Sequence, residues 1–325
     1  MDLPLIFMGL MGIAVLTYVL LDGFDLGVGM LMPAATEDEQ SFMVGSIGPF
    51  WDANQTWLVL GIGILLSAFP VAHGIVLQAL YLPTVAMLVG LMFRGVAFEL
   101  RMKAHGWHRD LWNWLFWAGS FLASFSQGFM LGRYITGFER GFGFLVFAVL
   151  VGASLCGGYV LLGATWLILK TEGELQRKAV QWARWGLLWA ALGVALVSLG
   201  TPLVSETVRH KWFDFPRTLW LMILPVATIA AGVWLWRASA RIGGKKDWQP
   251  YAAAVAIFTL AFAGLAYSVF PYVVVDRLTI WEAATHPSAL KAILIGAALV
   301  LPFIVAYTIF SYRIFRGKAA NKLYD

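Results

Sequence analysis

The feature that most limits how this chain can fold is a series of long apolar segments joined by short connections. A helix needs about 20 apolar residues to cross the hydrocarbon core of a membrane. Nine segments of the 325-residue sequence reach that length. We therefore predict an all-α integral membrane protein with nine transmembrane helices. The predicted spans are residues 4–30, 50–71, 75–100, 112–134, 143–169, 183–204, 217–237, 250–273 and 289–314.

Composition excludes a soluble globular protein. Hydrophobic residues make up 60% of the chain and charged residues 13%, whereas soluble domains are about 45–50% apolar and about 25% charged. No connection is long enough for a soluble domain, so residues 1–325 are expected to form a single polytopic membrane domain. The net charge of +5 comes from basic residues in short loops between spans. That placement indicates a membrane surface as the partner and no nucleic acid.

Basic residues in the loops predict the orientation. Connections after odd-numbered spans, with the C-terminal tail that includes Lys322, carry 15 of the 23 Lys and Arg residues. The opposite connections carry 7, counting Arg217 at the start of a span, and Arg94 lies within a span. Because cytoplasmic loops are enriched in Lys and Arg, the N-terminus is expected outside and the C-terminus in the cytoplasm. The first apolar segment follows Met1 without a basic region, which favours a retained span over a cleaved signal.

Two carboxylates close the first predicted span, in the string DGFDLGVG at residues 22–29. Asp22 and Asp25 are three residues apart and share one side of a helix. A charge at mid-bilayer costs about 2.5–3.5 kcal/mol, so two acids in one turn indicate a bundle interior or a water-filled cavity. A polar helix terminus is the alternative. Gly23 and Gly27 are spaced to let another helix approach closely.

Polar residues also open the second span and close the third. Asp52, Asn54 and Gln55 lie at the start of the second, where a first-turn acid can simply complement the helix dipole. Arg94 lies deeper in the third span than loop arginines do, so it is expected to take a carboxylate partner from the first or second span. Glu99 is either part of the same polar group or an ordinary interfacial acid. Together these residues predict a polar patch at one membrane face.

Histidine placement argues against haem ligation by this chain. Membrane haems need axial ligands, usually His or Met, that face inward from helices. No metal-binding or hydrolase motif is present. All five histidines fall in connections or at span ends, namely His73, His105, His108, His210 and His286. The remaining alternative ligands are methionines within spans, which more often serve packing: Met8, Met11, Met87, Met92 and Met130. Cys156 is the sole cysteine, which excludes an internal disulfide.

Five strings in register resemble the second subunit of cytochrome bd-type ubiquinol oxidases, over essentially the whole chain. They are DGFDLGVG (22–29), GPFWDANQ (48–55), FRGVAFE (93–99), LGATWL with KTEGEL (162–167 and 170–175) and LTIWEAA (278–284). Many relatives have glycine at the position of Ala53. Alanine at this position resembles the cyanide-insensitive branch of the family.

The resemblance implies a fold and a set of partners. Its nine spans would form two four-helix bundles plus one peripheral helix, in the bacterial cytoplasmic (inner) membrane with a periplasmic N-terminus. The partner, a homologous subunit I, would carry haems b and d, or b alone, and oxidise ubiquinol. This chain would ligate no haem and bind no metal. A small single-span accessory subunit and a structural quinone are further partners that the resemblance allows.

The resemblance also gives the polar patch a role. Asp52, Glu99 and Asp25 would carry protons from the cytoplasm towards the partner's oxygen-reducing site. Asp22, Arg94, Asn54 and Gln55 are expected to support them, with Arg94 keeping nearby carboxylates ionised. No catalytic residue is expected in this chain itself.

Two other classes of function explain some of these residues. A proton- or cation-coupled transporter also buries acids, but it usually places them near mid-membrane at broken helices. Here the acids lie near one face. A purely structural assembly partner needs no ionisable cluster, and it predicts that Asp52→Asn and Glu99→Gln are harmless after assembly.

Overall fold

The computed structural model describes residues 2–214 and 217–319, with the backbone alone at Arg217. Met1 and Lys322, and the side chain of Arg217, therefore lie outside the described part. The helices are α1 Leu3–Leu31, α2 Glu37–Ile47, α3 Trp51–Ala68, α4 Pro70–Ala79, α5 Tyr81–Arg101, α6 Trp107–Ile135, α7 Phe142–Lys170, α8 Gly173–Val204, α9 Glu206–Phe213, α10 Arg217–Leu221, α11 Ile223–Ala238, α12 Trp248–Val269, α13 Ile280–Ala283 and α14 Pro287–Ile314. Strands β1 Tyr272–Val274 and β2 Leu278–Thr279 pair antiparallel.

The prediction of an all-α membrane protein is confirmed. Seven helices of the described residues are long and apolar enough to cross a membrane. They correspond to α1, α5, α7, α8, the α10–α11 region, α12 and α14. The predicted spans 50–71 and 112–134 form α3 and α6 but are not among the seven. Polar residues in the first turns of α3, and serines with Gln127 in the middle of α6, lower the hydropathy of these helices.

Three span boundaries differ from the prediction for identifiable reasons. The predicted third span begins inside α4, and the chain breaks at Leu80 before α5, whose first turn contains Pro83. Proline has no amide hydrogen, so it is best accommodated in the first turn of a helix. Pro271 likewise ends α12 before the predicted limit, and β1 follows. Helix α8 starts at Gly173, ahead of the predicted 183, because its first turns are charged but still helical.

Local signals in the sequence set several helix ends. Asp2 accepts a hydrogen bond from the backbone N–H of Leu5 and caps α1. Thr36 and Glu39 form a capping box at the start of α2, in which each side chain accepts a hydrogen bond from the other residue's backbone N–H. The same arrangement opens α13. These caps fix the short connections and so hold the long helices in register with one another.

Helix α7 lies at the centre of the molecule and packs against α1, α6, α8 and α12. Helices α5 and α6 form a close pair, as do α11 and α12, while α14 touches α1 and α3 more loosely. Small residues permit the closest crossing, between α1 and α7, where Gly27 faces Gly163. The predicted close approach at Gly23 and Gly27 is thus confirmed, since Gly23 lies against Tyr159 of the same helix α7.

Replacing Gly27 with alanine is expected to destabilise the protein by about 1–3 kcal/mol, the usual range for overpacking. The added methyl carbon would lie 2.7 Å from the carbonyl carbon of Tyr159 and 2.9 Å from the backbone nitrogen of Gly163. The measurement is the midpoint of heat-induced aggregation of the purified complex. Gly9→Ala in the same helix is the control, because no atom lies within 4 Å of its added methyl. Equal midpoints for the two variants would contradict the close α1–α7 crossing.

Candidate functional site

Four of the predicted polar residues meet at one end of the molecule. Asp22 and Asp25 lie in the last third of α1, Asn54 lies in the first turn of α3, and Arg94 lies two turns before the end of α5. All four are buried, with Asp22 and Asp25 at 0% exposure and Arg94 and Asn54 at 1%. We call these four residues the carboxylate cluster. Sequence and structure therefore agree that these polar groups converge.

Arg94 is the cationic centre of the carboxylate cluster. Its Nη1 lies 2.7 Å from Oδ1 of Asp22, within hydrogen-bond distance, and its Nη2 lies 3.8 Å from Oδ2 of Asp25. The expected carboxylate partner from the first span is thus confirmed. Asp22, predicted only as a supporting residue, makes the shorter of the two ion pairs.

Asn54 fixes the second carboxylate. Its Nδ2 donates to Oδ2 of Asp25 at 2.8 Å and to the backbone oxygen of Leu21 at 3.2 Å. Its Oδ1 accepts from the hydroxyl of Tyr312, on α14, at 2.9 Å. Phe50 stacks on the Tyr312 ring, with centroids 4.4 Å apart. Tyr312 was missed in the sequence because a tyrosine near a span end is an ordinary interfacial residue.

The charges within the carboxylate cluster do not balance. Two carboxylates face one guanidinium, so full ionisation leaves one excess negative charge in a buried position. Oδ2 of Asp22 and Oδ1 of Asp25 have no hydrogen-bond partner within the described part of the chain. Because a buried uncompensated charge is costly, protonation of one carboxyl group would lower the free energy of the site. The arrangement can therefore hold one exchangeable proton.

A series of hydrogen-bonded polar side chains continues from the carboxylate cluster into the helix bundle. Tyr18 lies one turn before Asp22 on α1, and its hydroxyl accepts from Nε2 of Gln127 at 2.8 Å. The hydroxyl of Tyr159 donates to Oε1 of Gln127 at 2.7 Å. This series of hydrogen bonds was not predicted from the sequence. Gln127, in the middle of a predicted span, was a usable signal, because a buried amide needs partners.

Towards the membrane face, a polar layer lies beyond the carboxylate cluster. Arg101 is seven residues after Arg94, on the same side of α5, and its Nε donates to Oδ1 of Asn113 at 2.5 Å. The amide of Asn113 donates to Oε1 of Gln40 at 2.8 Å. A cavity of about 300 Å³ opens here, lined by Met32, Pro33, Gln40, Asp110, Asn113 and Trp114. Polar lining and this volume allow water to occupy it.

Helix α2 holds this layer in place through an ion pair with α8. Glu39 lies 2.9 Å from Nζ of Lys178 and caps its own helix through Thr36. Partial burial raises the pKa of Glu39, but the hydrogen bonds from Thr36 and Lys178 outweigh it, so the pKa lies below its ordinary value. Glu39 therefore stays ionised, and its ion pair with Lys178 persists at neutral pH.

The other predicted proton carriers lie apart from the carboxylate cluster. Asp52 and Glu99 are exposed on this chain, and neither side chain makes a hydrogen bond or ion pair to a described residue. Gln55 is half-buried, and its Nε2 has no partner among the described residues. Their place on a proton path stays a prediction.

The histidines lie at helix starts, in loops or on exposed positions rather than facing a common interior space. Within residues 2–214 and 217–319, no group of three or more His, Cys, Asp or Glu residues could hold a metal ion. The placement of the histidines does not suit axial ligation of a haem by two histidines of this chain.

Comparison with known proteins gives consistent matches. The family model described as cytochrome bd terminal oxidase subunit II matches residues 3–315. The cytochrome bd ubiquinol oxidase subunit 2 of Bacillus subtilis (strain 168) is 29% identical, over 94% of this chain and 93% of the relative. The cytochrome bd-I ubiquinol oxidase subunit 2 of Escherichia coli (strain K12) is 27% identical, over 93% and 91%. The bd oxidase structure from Geobacillus thermodenitrificans has the same fold, with a TM-score of 0.80 at 16% identity, over 97% of this chain and 99% of the solved chain.

Proposed function

Because this chain belongs to the cytochrome bd terminal oxidase subunit II family, we propose that it supports the four-electron reduction of O₂ to water by quinol in its partner, subunit I. Its own contribution is a path for protons from the cytoplasm. The chain is a subunit of a haem-containing terminal oxidase complex. The haems, b and d or b alone, and the quinol-oxidising site belong in this proposal to the partner.

One observation carries the proton-path proposal, namely the buried excess negative charge of the carboxylate cluster. Asp22 makes the direct contact with Arg94 at 2.7 Å, whereas Asp25 lies 3.8 Å from it, so the exchangeable proton is assigned to Asp25. The polar cavity beside Gln40 and Asn113 lies between the cluster and the membrane face, where water can enter it. Asp52 and Glu99 collect protons at the same face, with Gln55 as a polar neighbour.

The proposed topology follows from the same groups. Helices α3 and α6 also cross the membrane, giving nine spans. The first bundle comprises α1, α3, α5 and α6, the second comprises α7, α8, the α10–α11 region and α12, and α14 is peripheral. The close pairs α1–α3 and α5–α6 in the first group, and α7–α8 and α11–α12 in the second, support this division. The N-terminus is periplasmic, and the carboxylate cluster faces the cytoplasm because loop charges place the ends of α5, α7 and α14 there.

Purification in a mild detergent, followed by a redox difference spectrum, tests the complex itself. We expect haem bands only in fractions in which this chain co-purifies with a larger subunit. A chain that is purified alone, free of haem and active in proton-coupled transport would contradict the proposal and favour the transporter class. Quinone type, cyanide response and an accessory subunit can be read from the same preparation.

Asp52→Asn and Glu99→Gln are each expected to slow quinol-driven oxygen consumption by about tenfold. This is less than the roughly 10²–10⁴-fold effect of a positioned proton-transfer group, because water can partly replace an exposed acid. The haem content should stay unchanged, because both side chains are exposed on this chain. Asp38→Asn is the control, an exposed acid on α2. Full turnover in both variants at full haem content would contradict their place on the path.

A further inference from the structure

A second cavity lies where α7 ends, α12 begins and α14 ends. Its volume is about 250 Å³, and it is lined by Leu169, Gly244, Lys245, Asp247, Trp248, Arg316, Gly317 and Lys318. It is far from the carboxylate cluster in sequence and shares no residue with it. Since three long apolar helices terminate here, the cavity lies at the level of the lipid headgroups.

The single acid in this cavity is already neutralised. Oδ2 of Asp247 lies 2.9 Å from Nζ of Lys318 and accepts from Nε2 of Gln176 at 2.8 Å. Its Oδ1 accepts from the backbone amides of Gly243 and Gly244. Burial raises the pKa of Asp247, but these hydrogen bonds outweigh it and the pKa lies below its ordinary value. Asp247 therefore stays ionised, and both of its carboxylate oxygens are already hydrogen-bonded.

Two cations of the lining have no partner. The side chains of Lys245 and Arg316 are exposed and make no hydrogen bond or ion pair to a described residue. They flank the cavity from the loop before α12 and from the end of α14. An arginine and a lysine around one concave space form a phosphate-binding arrangement, because the guanidinium presents a planar fork and the ammonium a point charge.

The apolar part of the lining indicates which phosphate fits. Trp248 is 51% exposed beside the cavity, and Leu169 lines it from α7. An indole at the membrane–water interface packs against the glycerol region of a lipid. The volume holds a headgroup but not an acyl chain, and the chain would continue along the apolar surfaces of the helices. In the proposed topology the cavity faces the cytoplasmic leaflet, which is rich in anionic lipids that basic pockets at helix ends bind.

We propose that this cavity binds the headgroup of one anionic phospholipid, held by Lys245 and Arg316 and packed against Trp248. The bound lipid would add to the Lys318–Asp247 ion pair, which already joins the start of α12 to the segment after α14. Among the long helices, α14 is the most loosely attached. The lipid is thus a structural ligand that fastens the peripheral helix to the rest of the chain. The proposal does not depend on the proton path.

The test compares two matched double variants of the whole complex. Lys245→Gln with Arg316→Gln removes the two lining cations, while Lys246→Gln with Arg313→Gln removes two exposed cations from the same segments that do not line the cavity. Delipidated complex is titrated with phosphatidylglycerol, and bound lipid is counted by native mass spectrometry. Each charge-assisted hydrogen bond to the phosphate contributes about 1.5 kcal/mol, and cations outside the cavity make no such bond. The first variant should therefore bind about 150-fold more weakly, and the second within about twofold of the unaltered complex.

Two further titrations identify the ligand source. Phosphatidylcholine vesicles should compete poorly, and inorganic phosphate in the millimolar range should leave the lipid bound. Equal losses in both double variants would overturn the proposal, since the basic segment would then act only through its overall charge. Displacement of the lipid by inorganic phosphate would overturn it as well, because the cavity would then be a site for a free anion.

Discussion

Arg94→Met is expected to destabilise the complex by about 3–5 kcal/mol, the usual cost of removing one partner from a buried ion pair. The substitution leaves Asp22 and Asp25 without a counter-charge at positions with no solvent exposure. We expect much less assembled complex in membranes and a lower midpoint of thermal aggregation. Measuring both quantities distinguishes poor assembly from a weakened but assembled complex.

Two companion variants identify the cause of the Arg94 effect. Adding Asp22→Asn and Asp25→Asn to Arg94→Met should restore most of the stability, because a neutral cluster has no buried charge left to compensate. Arg109→Met is the control. Its side chain is 29% exposed and pairs with the exposed Glu37 at 3.0 Å, so we expect a loss below about 1 kcal/mol. If Arg94→Met were as stable as this control, the carboxylate cluster would not be the buried ion pair described.

Asp25→Asn is expected to reduce quinol-driven oxygen consumption by about tenfold or more, with unchanged haem content. Asparagine has nearly the same shape, and its oxygen can still accept from Nδ2 of Asn54, so the local structure should persist. It cannot release a proton, however. Oxygen consumption and the haem difference spectrum are measured on the same preparation, so that turnover is expressed per haem.

Asp22→Asn provides a matched comparison in the same helix. It removes the 2.7 Å ion pair with Arg94 and leaves one carboxylate opposite one guanidinium, so Asp25 remains able to titrate but loses the excess charge that favours its protonation. We expect a larger loss of thermal stability and a smaller loss of turnover per haem than in Asp25→Asn. The reverse pattern would assign the exchangeable proton to Asp22. Normal turnover in both variants would reduce the carboxylate cluster to a structural role.

Much of the fold could be predicted because its governing signals are local. Long apolar runs identify membrane helices, and the small residues at Gly23 and Gly27 indicated the close helix crossing that α7 supplies. The ends of the helices were harder to predict where a helix extends beyond the apolar segment or breaks within it. The charged start of α8 is helical outside the apolar window, and Pro83 breaks an apolar run that reads as continuous.

The site was predictable in its residues but not in its pairings. An unpaired buried arginine carries a large free-energy cost, so a contact between Arg94 and a carboxylate could be predicted from that cost alone. Which acid lies closer depends on helix rotation, and the sequence left the partner of Arg94 open among the acids of the first and second spans. Exposure of Asp52 and Glu99 on this chain could not be read from their spacing, because the side of a helix that faces neighbours depends on packing between helices.

Proton uptake during a single reduction of oxygen tests the central claim most directly. The fully reduced complex is reconstituted in liposomes and mixed with oxygen, while a pH-indicator dye reports protons lost from the compartment that faces the carboxylate cluster. The account predicts that Asp25→Asn slows this uptake by about tenfold or more, whereas the control Asp38→Asn leaves it unchanged. Uptake at the same rate in Asp25→Asn and the unaltered complex, at equal haem content, would contradict a proton path through this subunit.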